Sequence, residues 1–144
     1  MQRVNKSVLV PYDQAQMFAL VNDVESYPQF LPWCGGATVL ERHEGGTTAR
    51  LDIDYHGVRA HFTTDNATLP PESIVITLKD GPFRHLHGEW RFRALAADAA
   101  KVEFELAYEF ANTVVERIVG PVFNHIANTF IDAFVRRAEK LYGP

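Results

Sequence analysis

Six imidazoles, one thiol and a scatter of carboxylates are the side chains of this 144-residue sequence with acid–base, nucleophilic or metal-binding chemistry to offer. His85-x-His87 puts two imidazoles on one face of a strand. A zinc site needs three or four protein ligands, and a hairpin would bring one carboxylate, Glu109, near His87. That strand face is charged and solvated, so no metal is expected. Cys34 precedes Gly35-Gly36, and no local spacing ties it to any of the six histidines. It reads as a small buried apolar residue rather than a nucleophile. Acid–base work needs carboxyls in apolar surroundings. Asp52, Asp54, Glu103, Glu105 and Glu109 alternate to the wet side of strands, and Asp132 reads as solvated or paired on its helix. Gly35-Gly36 and Gly45-Gly46 lack the pattern of a phosphate cradle and read as turns. No catalytic residue and no required cofactor follow from these side chains, and the sequence is read as a non-enzyme.

Cations offer a different chemistry. Arg136, Arg137 and Lys140 cluster near the end of the C-terminal helix, where the helix dipole favours positive charge. They are the candidate contact with a nucleic-acid partner. The net charge of -4 and pI near 5.8 give non-specific nucleic-acid binding no support, and no DNA partner is expected.

The elements that must position these residues follow from periodicity. Residues 1–144 read as one domain, without repeats or linkers. A lone cysteine suits a reducing compartment. The first residues carry no signal-peptide pattern, and no segment approaches the run of about 20 apolar residues a membrane span needs. A cytoplasmic protein is expected. Residues 3–10 read as a strand. Asp13 and Gln16 suit a capping box for a short helix, and Asp23 is expected to cap a second one, stopped by Pro28 and Pro32. Period-two alternation then predicts strands near 37–43, 47–56, 58–68, 73–79, 85–95 and 101–110. A turn centred on Asp98 would set Arg93 against Glu103, Arg91 against Glu105, Phe92 against Phe104 and Trp90 against Leu106. From Val115 to Leu141, including Ile118, apolar residues recur at helical spacing. Thr113 and Glu116 suit its capping box, and Gly120-Pro121 predicts a kink or a restart. The fold class is α+β: a curved seven-stranded antiparallel sheet around a long C-terminal helix, with two short helices after the first strand.

A curved sheet gripping one helix tends to leave an apolar space. Phe62, Trp90, Phe104 and Tyr108 from the sheet, with Phe123, Ile126 and Phe130 from the helix, are its expected lining. The same aromatics would equally fill a solid core.

Three segments carry a resemblance. Tyr27-Pro28-x-Phe30-x-Pro32, Asp80-Gly81-Pro82-Phe83 and Trp90-x-Phe92, in this order, are similar to signature segments of the START-like, helix-grip family of ribosome association toxins and mitochondrial coenzyme Q-binding proteins, within the polyketide cyclase/dehydrase-like superfamily. The likeness runs from about Val10 to Tyr142. It implies a non-enzymatic lipid carrier, with an isoprenoid quinone such as ubiquinone in the cavity, its head group presented to a partner, and a role in respiration. The quinone would be a bound lipid rather than a cofactor. As an alternative it implies a toxin that binds the large ribosomal subunit and blocks subunit association. A polyketide cyclase-type enzyme comes third. The lipid reading adds a transient membrane-surface contact, peripheral to the inner membrane. Gly120-Pro121 and His125 depart from the pattern, which bears on any helix-surface contact carried over from the toxins. Within "SYPQFLPWCGG", Tyr27, Phe30, Pro32 and Trp33 then read either as an apolar lip for the isoprenoid tail or as a cap on the core.

Overall fold

The computed structural model describes residues 1–143. Strand β1 (Gln2–Val10) leads into helix α1 (Gln14–Asn22) and a 3-10 helix, Val24–Gln29. Strands β2 (Cys34–His43), β3 (Gly46–Tyr55), β4 (Val58–Leu69), β5 (Ser73–Asp80), β6 (Phe83–Ala96) and β7 (Ala99–Phe110) follow, then helix α2 (Thr113–Tyr142). The strands form one antiparallel sheet in the order β1-β7-β6-β5-β4-β3-β2. This is a meander in which β1 closes back onto β7. The curved sheet wraps the long helix, which is the helix-grip arrangement.

The last strand shows the alternation most clearly. In β7 every second residue from Ala100 to Phe110 is buried and every other one is half-buried. The dry set faces α2, whose buried stripe is Val119, Phe123, Ile126, Ala127, Ile131, Phe134 and Ala138. Asp13 caps α1 as expected: its Oδ1 accepts from the Gln16 N–H at 2.7 Å, and Gln16 Oε1 accepts from the Asp13 N–H at 3.0 Å. Gly81, with φ of +150°, sits where a Cβ would lie 2.7 Å from Phe62 Cβ. Its motif is thereby a packing device between the β5–β6 turn and β4.

Several expectations are corrected. In the β6–β7 hairpin Arg91 faces Glu103, Trp90 faces Phe104, Phe92 faces Val102 and Gly88 faces Leu106. A two-residue turn at Ala97-Asp98 and a bulge at Leu95 move the register by two residues. A two-residue slip preserves the faces, so the wet and dry sets stand. The two expected ion pairs form diagonally, Arg93–Glu103 at 2.9 Å and Arg91–Glu105 at 2.8 Å.

The second short helix is a 3-10 helix with Pro28 inside it, ending at Gln29 with Phe30 as its C-cap. The Asp23 carboxylate makes no capping bond to its backbone and accepts instead from Ser26 Oγ. Helix α2 runs unbroken through Pro121. The bond lost there would have gone to the carbonyl of Arg117, an exposed residue, so the carbonyl is open to solvent. Its N-cap is Asn112, one residue before the expected Thr113, with Oδ1 accepting from the Val115 N–H at 2.9 Å. Ile118 is 59% exposed and lies outside the core. Cys34 to Gly36 start β2 rather than forming a turn. Finally, an 18-residue window of α2 reaches a mean hydropathy of 1.2, so by length and composition this helix is able to cross a membrane. Its apolar residues are interspersed with polar ones rather than continuous, as expected of an amphipathic core helix. In the fold its apolar stripe is laid against the sheet.

Candidate ligand cavity

A cavity of about 70 Å³ lies between the sheet and α2. Phe62, Trp90, Phe104, Phe123, Ile126 and Phe130 line it, as expected. Tyr108 does not. It is buried one step further along β7, where its Oη donates to Asn124 Oδ1 at 2.5 Å and its ring meets Phe123 at 4.8 Å. Leu106 and Leu86 take its place in the wall. Ala49 and Leu51 from β3, and Ile74 and Ile76 from β5, complete the sheet side. Val21, Asn22 and Val24 close the end formed by α1 and the 3-10 helix, and Asn22 is exposed there.

The volume admits a few water-sized groups and falls below the roughly 300 Å³ of ordinary small-molecule sites. As the walls stand, a long polyprenyl chain does not fit inside.

One feature of the lining escaped the sequence reading. Thr64 and Asn66 on β4 share the inward phase of Phe62, and both are buried. Thr64 Oγ1 donates to Asn66 Oδ1 at 2.9 Å. The pair is a polar spot in an otherwise apolar wall. Two polar residues in the dry phase of a strand were the available signal. Such a pair is also what a cyclase-type reaction would need inside the cavity. Neither side chain titrates, however, so neither can act as general acid or base near neutral pH.

The segment from Tyr27 to Trp33 divides. Tyr27 and Trp33 are buried and line the cavity. The Tyr27 Oη donates to the Val21 carbonyl at 2.5 Å, and burial holds its ionisation far above the ordinary range, with the charges of Cys34 and Asp23 adding. Phe30 is half-buried against Phe134, and Pro32 is exposed. The aromatics therefore turn inward and cap the core next to α2, and only the proline faces water.

Cys34 is buried, and burial pushes its thiol up to about 11, with Asp52 adding in the same direction. At neutral pH it is a protonated thiol and a poor nucleophile. His85 and His87 are exposed, and Glu109 stands opposite His85 rather than beside His87. Among the described residues no three His, Cys, Asp or Glu side chains cluster in a way that could hold a metal. Of the three cations on α2, Arg136 and Lys140 are exposed, while Arg137 packs over Phe30 and donates to Gln29 Oε1. Asp132 is exposed.

Comparison with known proteins places this geometry. The profile of the family described as "Polyketide cyclase / dehydrase and lipid transport" matches residues 10–135. Ribosome association toxin RatA of Pseudomonas aeruginosa is 43% identical over 140 residues, which cover 97% of each chain. The mitochondrial coenzyme Q-binding protein COQ10 homolog B of Xenopus laevis is 26% identical over 143 residues, covering 96% of this chain and 59% of that one. A START superfamily protein from Mycobacterium smegmatis superposes with a TM-score of 0.77 at 26% identity, covering 96% of this chain and 98% of that structure.

Proposed function

This chain belongs to the polyketide cyclase/dehydrase and lipid transport family, and from that premise we propose that it binds an apolar ligand between sheet and helix without transforming it. The observation that carries this reading is the cavity itself, aromatic and aliphatic apart from Asn22 and the Thr64–Asn66 pair. Burial of apolar surface contributes roughly 25 cal/mol per Å², so a guest that covers a few hundred Å² reaches useful affinity. The isoprenoid quinone suggested by the coenzyme Q-binding relative fits the chemistry of the wall. Its ring or first isoprene unit would enter while the rest of the tail stays outside or displaces the 3-10 segment. Such a carrier would work in the cytoplasm and collect its guest at a membrane surface. The test is solvent extraction of protein purified from a quinone-producing host, read by mass spectrometry. A lipid near one equivalent supports the proposal. A blank, together with no binding of an added short-tailed benzoquinone, overturns it.

A second reading has its own support. The toxin relative is 43% identical across nearly its whole length, well above the coenzyme Q-binding relative. On this reading the protein associates with ribosomes through its surface, and Arg136 and Lys140 are the cations free to make the contact. Co-sedimentation with the large ribosomal subunit tests it. Loss of co-sedimentation in Arg136→Glu with Lys140→Glu would assign the patch, and no sedimentation of the wild-type chain would remove this reading. A cyclase activity is the least supported, because the polar spot in the cavity has no titratable member.

A further inference from the structure

We propose that the ligand carries a neutral hydrogen-bond-accepting oxygen and binds with that oxygen inside the cavity, against Asn66. This rests on the ligand-binding reading above and adds the class and orientation of the guest. Asn66 retains only 9% of its exposure and lines the cavity beside Thr64. An asparagine side chain offers one acceptor oxygen and two N–H donors. The Thr64 hydroxyl donates to the acceptor oxygen at 2.9 Å, an arrangement that leaves the Nδ2 end of the amide over. The Nδ2 donors remain for the space that Phe62, Trp90 and Phe104 enclose. The Nδ2 has no hydrogen-bond partner within the protein and is not sealed off from the space around it, so it is left to pair with water or with a guest.

The sign of the site follows from the same lining. No Lys, Arg or His borders the cavity, so a carboxylate or phosphate would lose its hydration there with no counter-charge. A carbonyl or ether oxygen loses far less and gains the Asn66 N–H. Free fatty acids and phospholipid head groups are thereby disfavoured inside, and quinone carbonyls are favoured. The polar end of the guest is held by the protein rather than displayed to a partner.

Three probes of equal tail length test the inference by calorimetry: a decyl benzoquinone, decylbenzene and decanoate. The wild-type chain should prefer the quinone to decylbenzene by about tenfold, the worth of one buried hydrogen bond, and bind decanoate most weakly. Thr64→Val with Asn66→Leu removes both polar partners together and should equalise the affinities for quinone and decylbenzene. In the wild-type protein, the side-chain amide resonances of Asn66 should shift with the quinone and not with decylbenzene, which needs no variant. Equal affinity for quinone and decylbenzene in the wild type, or a preference that survives the double substitution, overturns the assignment while the cavity reading stands. No binding of any probe removes both.

Discussion

The guanidinium of Arg137 lies 4.9 Å from the centroid of the Phe30 ring, and its Nη2 donates to Gln29 Oε1 at 2.9 Å. One side chain of α2 thus pins the end of the 3-10 helix, beside two residues that wall the cavity, Tyr27 and Trp33. The contact is structural before it is anything else. It also means that the three cations at the end of α2 are not equivalent.

Replacing Arg137 by Ala should cost about 1 kcal/mol, the scale of a cation–π contact plus one hydrogen bond, offset in part because its Nε is buried without a partner. At this chain length that is a fall in Tm of about 3 °C. Arg136→Ala should change stability by less than about 0.5 kcal/mol. Thermal melts of the two variants decide it. Equal melts would mean that Arg137 does not hold the segment.

Tyr27→Phe isolates the other fastening of this segment. Removing the hydroxyl leaves the Val21 carbonyl without the bond it receives at 2.5 Å. Loss of a buried partner costs about 1–2 kcal/mol, seen as a lower urea midpoint with an unchanged slope. A changed slope would instead report a looser native state.

The thiol of Cys34 gives a pH prediction. Its folded value is raised to about 11 from an ordinary 9.0, chiefly by burial. Between those values the unfolded chain has given up the proton that the folded chain keeps. The folded form therefore binds more protons, and stability falls as pH rises. The contribution is whole below about pH 9 and is lost as pH climbs to about 11. Tyr27, whose hydroxyl is also held protonated by burial, steepens the decline above pH 10. Urea midpoints from pH 8 to 11 should fall less in Cys34→Ala than in the wild type. A disulfide reagent at pH 8 should label Cys34 slowly in buffer and rapidly in urea.

What could be read from the sequence was periodic. Strand phases survive small errors of register, which is why the lining set of Phe62, Trp90 and Phe104 was found although the β6–β7 pairing was two residues off. Alternation also marked Tyr108 as inward, and it is inward. Whether an inward residue borders empty space or packs solidly depends on its position along the strand, and alternation carries no such information. The bulge at Leu95 left no trace in residue type. The Asn112 cap was hidden by Thr113, an equally good capping residue next door. Thr64 and Asn66 share the inward phase of Phe62, but polar residue types do not by themselves mark a cavity wall as aromatic ones do. The inward turn of Tyr27 and Trp33 depends on α2, about 100 residues later in the chain, and no local pattern encodes it.

Gly81 gives a sharper test of the signature segments. At φ of +150° a β-carbon is strained whatever the space, and here it would also approach Phe62 Cβ to 2.7 Å. Gly81→Ala should cost about 2–3 kcal/mol. Gly45→Ala, at φ of +84° with nothing within 4 Å, meets no atom and should cost about 1 kcal/mol. If both melt alike, the Asp80-Gly81-Pro82-Phe83 turn is not held by its seat on β4.

Ala49 separates stability from binding. It is 3% exposed on β3, faces the cavity and pairs with Thr64. Ala49→Val directs two more carbons into the void. Filling buried apolar space contributes about 0.8 kcal/mol per methylene when no strain arises, and a β-branched residue suits a strand. The variant should be more stable by up to about 1 kcal/mol. A site that evolved only as packing would have no reason to leave that gain unused. One kept open for a guest would, since natural sites commonly trade stability for function. Affinity for the benzoquinone should therefore fall at least about tenfold as the melting temperature rises, since a tenfold loss needs only 1.4 kcal/mol of lost contact. A variant that is more stable and binds as well as the wild type would place the ligand somewhere other than this cavity.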